Sequence, residues 1–312
     1  HYPLRRQRQM CIRDRNWTAT GKSSADQPAP PLWRGRTTTA VDTPMNKLAE
    51  MVQAQLLDAI EKDDLVLPTL PEVALSIREA AEDSEISVAA LSKVIGRDAA
   101  LSARLIKVVN SPLLRAAVEV TDLHTAITRL GINYSCNLAI GLVIEQIFHA
   151  RAPAVEQKLR DIWANSLEVA GISYEICRRY THLKPDQATL GGLVNQIGAL
   201  PVLIYAEEHN ELLSDPVCLH YVIEQIQPVL GDKILKAWEF PEQLVNLPSQ
   251  VQDLDRQTDK VDYIDIVQIA RCISQRGRHR PLAALPAYRH LGLPFGTELE
   301  VEELLEARSM FR

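Results

Sequence analysis

Histidine and acidic side chains are the groups in this sequence that could hold a divalent metal ion. Metal-assisted hydrolysis needs imidazole nitrogens and carboxylate oxygens that converge on one point. No two histidines have the HxxxH spacing that places two imidazoles on one face of a helix. After the first residue, the histidines are His124, His149, His182, His209, His220, His279 and His290. We interpret each as a surface or satisfied core residue, and we expect neither a metal ion nor another cofactor.

Motifs of other enzyme classes give no better candidate. Gly21-Lys22-Ser23 lacks the earlier glycine of a P-loop, and neither GxSxG nor GxGxxG occurs. The pair Gly191-Gly192 lies inside a helical pattern, where it favours close helix packing over phosphate binding. Five cysteines are scattered without a CxxC pair, which is typical of core thiols in a reducing compartment.

Hydrophobic periodicity indicates helices along most of the chain. Hydrophobic residues make up 46% of the sequence and aromatic residues 5%, a balance that favours helix over sheet. Leu48, Val52 and Leu56 recur at three-four spacing, and Ser87 and Asp98 are suited to cap the helices that follow them. No strand-like alternation persists, so we predict an all-α fold.

Most of the other helical segments are assigned from the same spacing. They are predicted at about 122–130, 132–149, 156–180, 186–208, 216–226, 228–238, 241–247 and 258–275, with a last, exposed helix at 298–310. The segment 186–208 is expected to be interrupted at Gly191-Gly192 and at Pro201. Trp163 and Trp238 have apolar neighbours, which indicates core positions.

Residues 87–109 have the spacing of a helix-turn-helix, one route to DNA binding. Two short helical segments flank a turn that contains Gly96, and basic side chains are frequent between residues 93 and 115. The second segment is mostly apolar and offers few side chains to base edges. Since any two short helices of a bundle can meet in this way, DNA binding is kept only as an alternative.

An ordered series of short motifs runs through residues 65–275. It includes LPTLPEV (67–73), DAAL (98–101), VNSP (109–112), AITRLG (126–131), WANS (163–166), GLVNQIG (192–198) and WEFP (238–241). Together these motifs resemble the HDOD family. The resemblance implies an N-terminal helical bundle packed on a half that is similar to HD phosphohydrolases. It also implies a role in bacterial signal transduction or regulation, since family members often have no known catalysis.

The resemblance places the metal-binding positions of HD enzymes on five residues of this sequence. The first histidine falls at Asn165, and the adjacent His-Asp pair falls at Asn195 and Gln196. A later histidine falls near Gln227, and the last aspartate falls at Arg271. Amides are weak neutral donors, and a fixed positive charge repels a cation. The resemblance therefore implies a dismantled metal site and no catalysis.

These five side chains are expected to cluster if the fold holds. They form either a polar core that satisfies its own hydrogen bonds or a pocket that binds a small ligand such as a nucleotide. The main hypothesis is a non-catalytic regulatory protein that acts on a protein partner in a signalling pathway. The alternative is a metal-dependent phosphohydrolase or cyclic-dinucleotide phosphodiesterase with a displaced site, to which Asp161, Glu168 and Glu175 could contribute carboxylates.

The chain is divided into four predicted segments. Residues 1–44 are interpreted as a disordered or spurious, non-native extension, because Gln9 to Arg15 looks like translated sequencing-adapter sequence. A transit peptide or a basic arm is the alternative for this stretch. Residues 45–153 are predicted to form the N-terminal helical subdomain, 154–276 the degenerate HD-like subdomain, and 277–312 a C-terminal tail.

Charge is distributed unevenly along the chain. Residues 1–44 hold eight basic and three acidic residues, which leaves 26 basic and 37 acidic residues in the rest. A body this acidic is poorly suited to unspecific binding of nucleic acid or of an anionic membrane. The apolar run from Leu138 to Ile144 is too short to span a membrane, and no secretory signal is recognised. We therefore expect a cytoplasmic protein without a membrane or nucleic-acid partner.

Overall fold

The computed structural model describes residues 44–62, 67–114, 118–274, 281–293, 299 and 301–311, and within them it contains helices and no strand. The predicted all-α fold is confirmed. The extension predicted over residues 1–44 lies outside the described residues except for Pro44. The α-helices are α1 (Pro44–Glu61), α2 (Glu72–Glu82), α3 (Val88–Ile95), α4 (Ala99–Val109), α5 (Leu123–Leu130), α6 (Ile132–Val143), α7 (Pro153–Tyr180), α8 (Pro185–Val194), α9 (Ala199–Glu207), α10 (Asn210–Leu213), α11 (Pro216–Ala237), α12 (Glu242–Val245), α13 (Leu247–Gln250), α14 (Tyr263–Ser274), α15 (Pro286–His290) and α16 (Val301–Glu306). Short 3₁₀ helices occupy Ile144–Ile147, Leu282–Ala284 and Ala307–Ser309.

Helix boundaries in the first half follow the capping signals of the sequence. The side chain of Ser87 accepts a hydrogen bond from the backbone N–H of Ala90, and that of Asp98 accepts one from Leu101. Gly131 separates α5 from α6 with a φ of 82°, a conformation that L side chains rarely adopt. The two predicted caps and the predicted break at Gly131 are therefore confirmed.

Two predicted interruptions in the second half are wrong. Gly191 and Gly192 both lie inside α8, and the chain turns instead at residues 195–198. Pro201 lies in the first turn of α9, where its missing N–H costs no helical hydrogen bond. Pro228 lies inside α11, which runs unbroken from Pro216 to Ala237. Packing of α11 on α1, α9 and α13 offsets the hydrogen bond that Pro228 removes.

Helix α7 is the central element of the fold. It packs on α8, α9 and α14, and also on the 3₁₀ helix at Ala307–Ser309. One hydrophobic core cluster extends from Val52 in α1 through α7 to Met310. The predicted subdomain boundary at residues 153 and 154 stays a prediction, because α7 begins at Pro153 and this core includes helices on both sides.

Glycine residues allow the closest contacts of α7. A Cβ atom at Gly192 of α8 would lie 2.4 Å from the Cα of Ala170 and 2.7 Å from its nitrogen. A Cβ atom at Gly171 of α7 would lie 2.1 Å from the carbonyl oxygen of Ala307. Real side chains essentially never come so close to backbone atoms. The interpretation of Gly192 as a packing residue is confirmed.

The last helix is buried on one side, contrary to the predicted exposed helix. Leu304 and Ala307 are fully buried. Arg179 of α7 forms an ion pair with Glu303, and Arg308 forms one with Glu168 of α7 at 2.7 Å. The absence of a side chain at Gly171 lets this segment lie directly on α7, which a reading of local periodicity does not reveal.

Both tryptophans singled out in the sequence lie in the core. Trp163 and Trp238 are each 4% exposed. The indole Nε1 of Trp238 donates to the carbonyl oxygen of Pro68 at 2.9 Å, which fixes the extended segment before α2. Their predicted role as core anchors is confirmed.

One described segment, Pro185–Glu207, is long and apolar enough to span a membrane. Its mean hydropathy reaches 1.4, but 83% of that window is buried inside the fold. Buried core helices of globular proteins have the same composition, so the segment is weak evidence for a membrane span.

Substitution of Gly192 tests the contact between α7 and α8. In an exposed helix, Gly→Ala stabilises by about 1 kcal/mol. At position 192 the methyl group would overlap the backbone of Ala170, so we expect Gly192→Ala to lower the free energy of unfolding by about 1–3 kcal/mol. Urea unfolding measures the change. Ala164→Ser, on the exposed face of α7, is the control, and an effect of Gly192→Ala no larger than that of the control would contradict the packing.

Glu175 provides a pH-dependent test of the same helix. Burial works to raise the pKa of Glu175, but hydrogen bonds from Arg178, at 2.9 and 2.7 Å, and from Arg179 outweigh it and hold the pKa below its usual range. The stabilisation by the carboxylate is therefore present above the ordinary pKa of about 4.3 and is lost as the pH falls through the folded-state pKa. We expect Glu175→Gln to lower the free energy of unfolding by about 1–2 kcal/mol at pH 7.

The difference between the native chain and Glu175→Gln should shrink as the pH falls below about 4.3. Urea unfolding of both proteins at neutral and acidic pH measures it, with the exposed Glu82→Gln as the control. A difference that is equal at both pH values would show that the ion pairs of Glu175 contribute nothing to stability.

Candidate functional site

Four separate segments position the five residues predicted for the site. Asn165 lies in the middle of α7, and Asn195 and Gln196 lie in the turn between α8 and α9. Gln227 lies in α11 and Arg271 in the last turn of α14. Because α8 and α14 both pack on α7, the segments that carry Asn165, Gln196 and Arg271 are brought together.

Gly198 brings the turn after α8 close to α11. A Cβ atom at Gly198 would lie 1.9 Å from the carbonyl oxygen of Gln227 and 2.6 Å from the backbone nitrogen of Gly231. The turn thus touches the backbone of α11 beside Gln227. This contact places Gln196 and Gln227 at the same cavity.

Four of the five predicted residues line one cavity of about 550 Å³. Asn165, Gln196, Gln227 and Arg271 contribute to its wall. Asn195 does not: its side chain is 1% exposed, and its Nδ2 donates to the carbonyl oxygen of Gly192 at 2.6 Å. Asn195 follows the last residue of α8, and its side chain folds back onto the end of that helix, where it caps the carbonyl of Gly192.

A chain of hydrogen bonds crosses one wall of the cavity. Nε2 of Gln196 donates to Oδ1 of Asn165 at 2.7 Å, and Nδ2 of Asn165 donates to Oγ of Ser274 at 3.2 Å. Ser274 donates to Glu168 at 3.2 Å, and Arg308 donates to the same carboxylate. Both ends of the Asn165 amide are therefore occupied, and this wall is tied to the C-terminal segment.

Other polar groups of the site have no partner among the residues that the structure describes. These atoms are Oδ1 of Asn195, Oε1 of Gln227 and Nη1 of Arg271. Nε1 of Trp163, two residues before Asn165, also lacks a partner within the described part of the chain. Gln227 is only 6% exposed. Buried polar atoms are nearly always hydrogen-bonded, so the two unpartnered atoms that belong to cavity-lining residues, on Gln227 and Arg271, call for an explanation.

Arg271 is the most unusual group of the site. Burial lowers the pKa of its guanidinium, and the nearby carboxylate of Glu224 opposes this shift only in part. The side chain forms no hydrogen bond or ion pair with the described residues. The side chain is only partly buried, but its Nη1 is enclosed, and an enclosed donor without a partner is unfavourable unless a ligand accepts from it.

Acidic residues on α7 do not supply a metal site in the cavity. Asp161 lines it, but Glu168 is held by Arg308 and Ser274, and Glu175 is held by Arg178 and Arg179. The three acids are seven residues apart, which separates successive side chains by about 10 Å along the helix. Within the part of the chain that the structure describes, no group of three or more His, Cys, Asp or Glu side chains could hold a metal ion.

Four further polar residues of the cavity were missed in the sequence. Lys158 precedes Asp161 and Asn165 at three- and four-residue steps on α7, and His220, Glu224 and Gln227 follow the same steps on α11. Gln252 completes this polar group. Helical spacing from Asn165 and Gln227 would have found the first three, because residues three and four apart share a helix face.

A second buried polar cluster lies at the opposite end of α14. Asp265 is fully buried and bonds to Nη1 of Arg256 at 3.1 Å and to Nδ1 of His290 at 3.1 Å. Burial raises the pKa of Asp265, while the hydrogen bond from His290 lowers it. Thr258 and the backbone N–H of Asp262 also contact this carboxylate. Since both of its oxygens have partners, we interpret this cluster as structural.

The possible helix-turn-helix, α3 and α4, is largely occupied by internal contacts. Leu101 and Leu105 are buried, and Arg104 pairs with Glu145 and donates to the carbonyl oxygen of Leu142. Lys107 is the only long basic side chain of α4 that is exposed. This arrangement does not favour reading of DNA bases.

Comparison with known families agrees with this geometry. The sequence profile of the HDOD domain matches residues 67–254, which is more than half of the chain. The chain belongs to the HDOD domain family. The predicted family is confirmed, and the HDOD match includes four of the five predicted site positions, with Arg271 beyond its end.

Solved structures share the HDOD fold. A protein of Shewanella amazonensis SB2B, named as a proposed metal-dependent phosphohydrolase, is 29% identical, with a TM-score of 0.74 over 84% of this chain and 99% of that chain. An HDOD domain protein with unknown function from Geobacter sulfurreducens is 19% identical, with a TM-score of 0.59 over 83% and 93% of the two chains. A protein of Marinobacter aquaeolei VT8, named as a proposed signal transduction protein, is 21% identical, with a TM-score of 0.55 over 85% and 65%. The comparison with curated proteins gives no match.

Replacement of Arg271 tests whether its guanidinium lowers the stability of the folded HDOD protein. Because Nη1 of the guanidinium is enclosed without a partner among the described residues, we expect Arg271→Met to raise the free energy of unfolding by about 1 kcal/mol in a buffer without multivalent anions. Chemical denaturation measures the change. The exposed Arg97→Met is the matched control, expected within about 0.5 kcal/mol of the native chain. A loss of stability in Arg271→Met would show that the guanidinium supports the fold.

Proposed function

We propose that this HDOD protein is a non-catalytic regulator of bacterial signal transduction that acts in the cytoplasm through a protein partner. One observation carries the proposal. Four residues at the degenerate metal positions face one cavity, and they are three amides and one arginine. If the resemblance places the metal positions correctly, this chain keeps the HDOD fold and has other residues in place of the metal ligands.

Coordination chemistry supports the absence of catalysis. A divalent ion that activates water needs several anionic oxygen or imidazole ligands around it. Asn165, Gln196 and Gln227 offer only neutral amide oxygens, and Oδ1 of Asn165 already accepts a hydrogen bond. The guanidinium of Arg271 adds a permanent positive charge where a cation would have to lie.

The relatives support the signalling part of the proposal. The Marinobacter aquaeolei protein is named for signal transduction, and at 21% identity its likeness concerns the fold. A regulatory HDOD domain needs no chemistry of its own, since function belongs to the site and not to the fold.

A metal-dependent phosphohydrolase is the second candidate. The Shewanella amazonensis protein, 29% identical, carries that activity in its proposed name. In this chain, Asp161, His220 and Glu224 also line the cavity and are the residues that a displaced site would use. Glu224 lies 3.3 Å from His220, and both side chains are more than half exposed. Exposed, mutually paired groups hold a metal ion poorly.

Metal content and turnover separate the two candidates. We expect the purified full chain to contain substoichiometric iron, manganese and zinc by plasma mass spectrometry, because its amides and guanidinium do not replace anionic ligands. Hydrolysis of bis(p-nitrophenyl) phosphate and of cyclic dinucleotides should stay at background with Mn²⁺ or Fe²⁺ added. Stoichiometric metal together with turnover that Asp161→Asn abolishes would instead establish the phosphohydrolase.

A variant with restored ligands controls for the sensitivity of this experiment. Asn165→His, Gln196→Asp, Gln227→His and Arg271→Asp together put imidazole and carboxylate groups on the wall of the same cavity. We expect this variant to take up more Zn²⁺ than the native chain, which would show that the scaffold can still present ligands.

A further inference from the structure

Two positively charged side chains of the cavity form no direct ion pair with the described residues. Lys158 and Arg271 both line it, and neither forms a hydrogen bond or an ion pair with the described residues. Lys158 is partly buried on α7, and Nη1 of Arg271 is enclosed. Cations in such a position are suited to an anionic ligand, because a guanidinium and an ammonium both donate strongly to oxyanions.

The acidic residues of the cavity already have partners. Nε2 of Gln157 donates to Asp161 at 2.9 Å, and Nε2 of His220 lies 3.3 Å from Glu224. Glu224 acts on Arg271 from beyond ion-pair distance. Both acids keep their negative charge, but neither forms a direct ion pair with Lys158 or Arg271, so the donors of these two cations stay available to a ligand.

Gln227 adds a requirement on that ligand. Its side chain is 6% exposed, lines the cavity, and has an Oε1 atom without a partner. An amide oxygen accepts hydrogen bonds and does not donate them. A molecule that satisfies both Arg271 and Gln227 therefore needs an anionic oxygen for the first and an O–H or N–H group for the second.

We propose that the cavity between α7, α11 and α14 is an effector site for a small phosphate-bearing molecule that also carries a hydrogen-bond donor. The phosphate oxygens accept from Arg271 and Lys158, and the donor binds Oε1 of Gln227. Asn165 and Gln196 hold the wall in place through their mutual hydrogen bond and are positioning residues. The site binds its ligand and performs no reaction on it.

Charge and size favour a phosphate group over a carboxylate. Two unpaired cations match a phosphate monoester, which carries a charge of about −1.5 to −2 at pH 7, better than a singly charged carboxylate. The cavity of about 550 Å³ is within the range of about 300–1,000 Å³ in which proteins bind small organic molecules. We therefore expect a ligand larger than inorganic phosphate. Inorganic phosphate nevertheless has both an anionic oxygen and an O–H donor, so it can serve as a probe.

The inference rests on the proposed function in one respect, namely that no metal occupies the cavity. Binding is therefore measured on the full chain after treatment with EDTA, so that phosphate cannot bind through a metal ion. Metal content with turnover decides the proposed function, and anion binding to the metal-free chain decides this inference. The proposed function and the inference can therefore fail independently of each other.

Inorganic phosphate and sulfate are the decisive pair of probes. At pH 7.5 both are mostly dianions, but only hydrogen phosphate has an O–H group to donate to Gln227. Isothermal titration calorimetry at constant ionic strength should give saturable phosphate binding, with sulfate at least about tenfold weaker. Acetate tests the carboxylate, and we expect it to bind more weakly than phosphate.

Three variants assign the binding to named groups. Arg271→Gln should weaken phosphate binding by about tenfold or more, because it removes a charge-assisted donor. Gln227→Leu should abolish the preference for phosphate over sulfate. Arg97→Gln removes an exposed arginine outside the cavity and should leave both affinities unchanged. Far-ultraviolet circular dichroism checks that each variant is folded.

Several outcomes would overturn the inference. These are the absence of saturable phosphate binding to the native chain, equal phosphate affinity in a folded Arg271→Gln, and an unchanged preference for phosphate over sulfate in a folded Gln227→Leu. Tighter binding of acetate than of phosphate would also overturn it.

Discussion

Helices α7 and α8 approach each other so closely that the Cα of Ala170 occupies the space a side chain at position 192 would need. This contact determines where α8 ends relative to α7, and hence where Asn195 and Gln196 lie. A similar contact, of Gly171 with the backbone of Ala307, brings the C-terminal segment onto the same helix. Interiors are close-packed, so helices joined in this way have little freedom to shift.

The polar residues of the cavity divide into two groups with different physical roles. Asn165 and Gln196 satisfy each other and continue through Ser274 to Glu168, which fixes one wall. Gln227 and Arg271 keep polar atoms without partners. Satisfied networks make a structure rigid, whereas buried orphan groups cost free energy and persist where a ligand compensates them. The self-satisfied polar network that was one expected alternative describes one wall, and the ligand pocket stays a prediction for the wall that holds Gln227 and Arg271.

The contrast with the buried cluster around Asp265 supports this distinction. That carboxylate also lies on α14, yet each of its oxygens has a partner, from Arg256, His290 or Thr258. Arg271, six residues further along the same helix, has no hydrogen-bond or ion-pair partner among the residues that the structure describes. In this chain, helix α14 thus carries a buried carboxylate that internal contacts satisfy and an arginine that they leave unsatisfied.

Local sequence determined much of the fold. Hydrophobic spacing, the caps at Ser87 and Asp98 and the break at Gly131 are set by interactions within a few residues, and these predictions are confirmed. The ordered motifs identified the HDOD family and, through it, the positions that share the cavity. Such signals are readable because they depend on neighbours in the chain.

Tertiary structure alone decided the rest. The continuity of α11 through Pro228 depends on helices that pack against it, and the burial of the last helix depends on Gly171 far away in sequence. Only the packed structure turned Asn195 away from the cavity and left Arg271 without a partner. Whether a buried polar side chain finds a hydrogen-bond partner depends on atoms that different helices bring together. A local sequence pattern therefore cannot predict it.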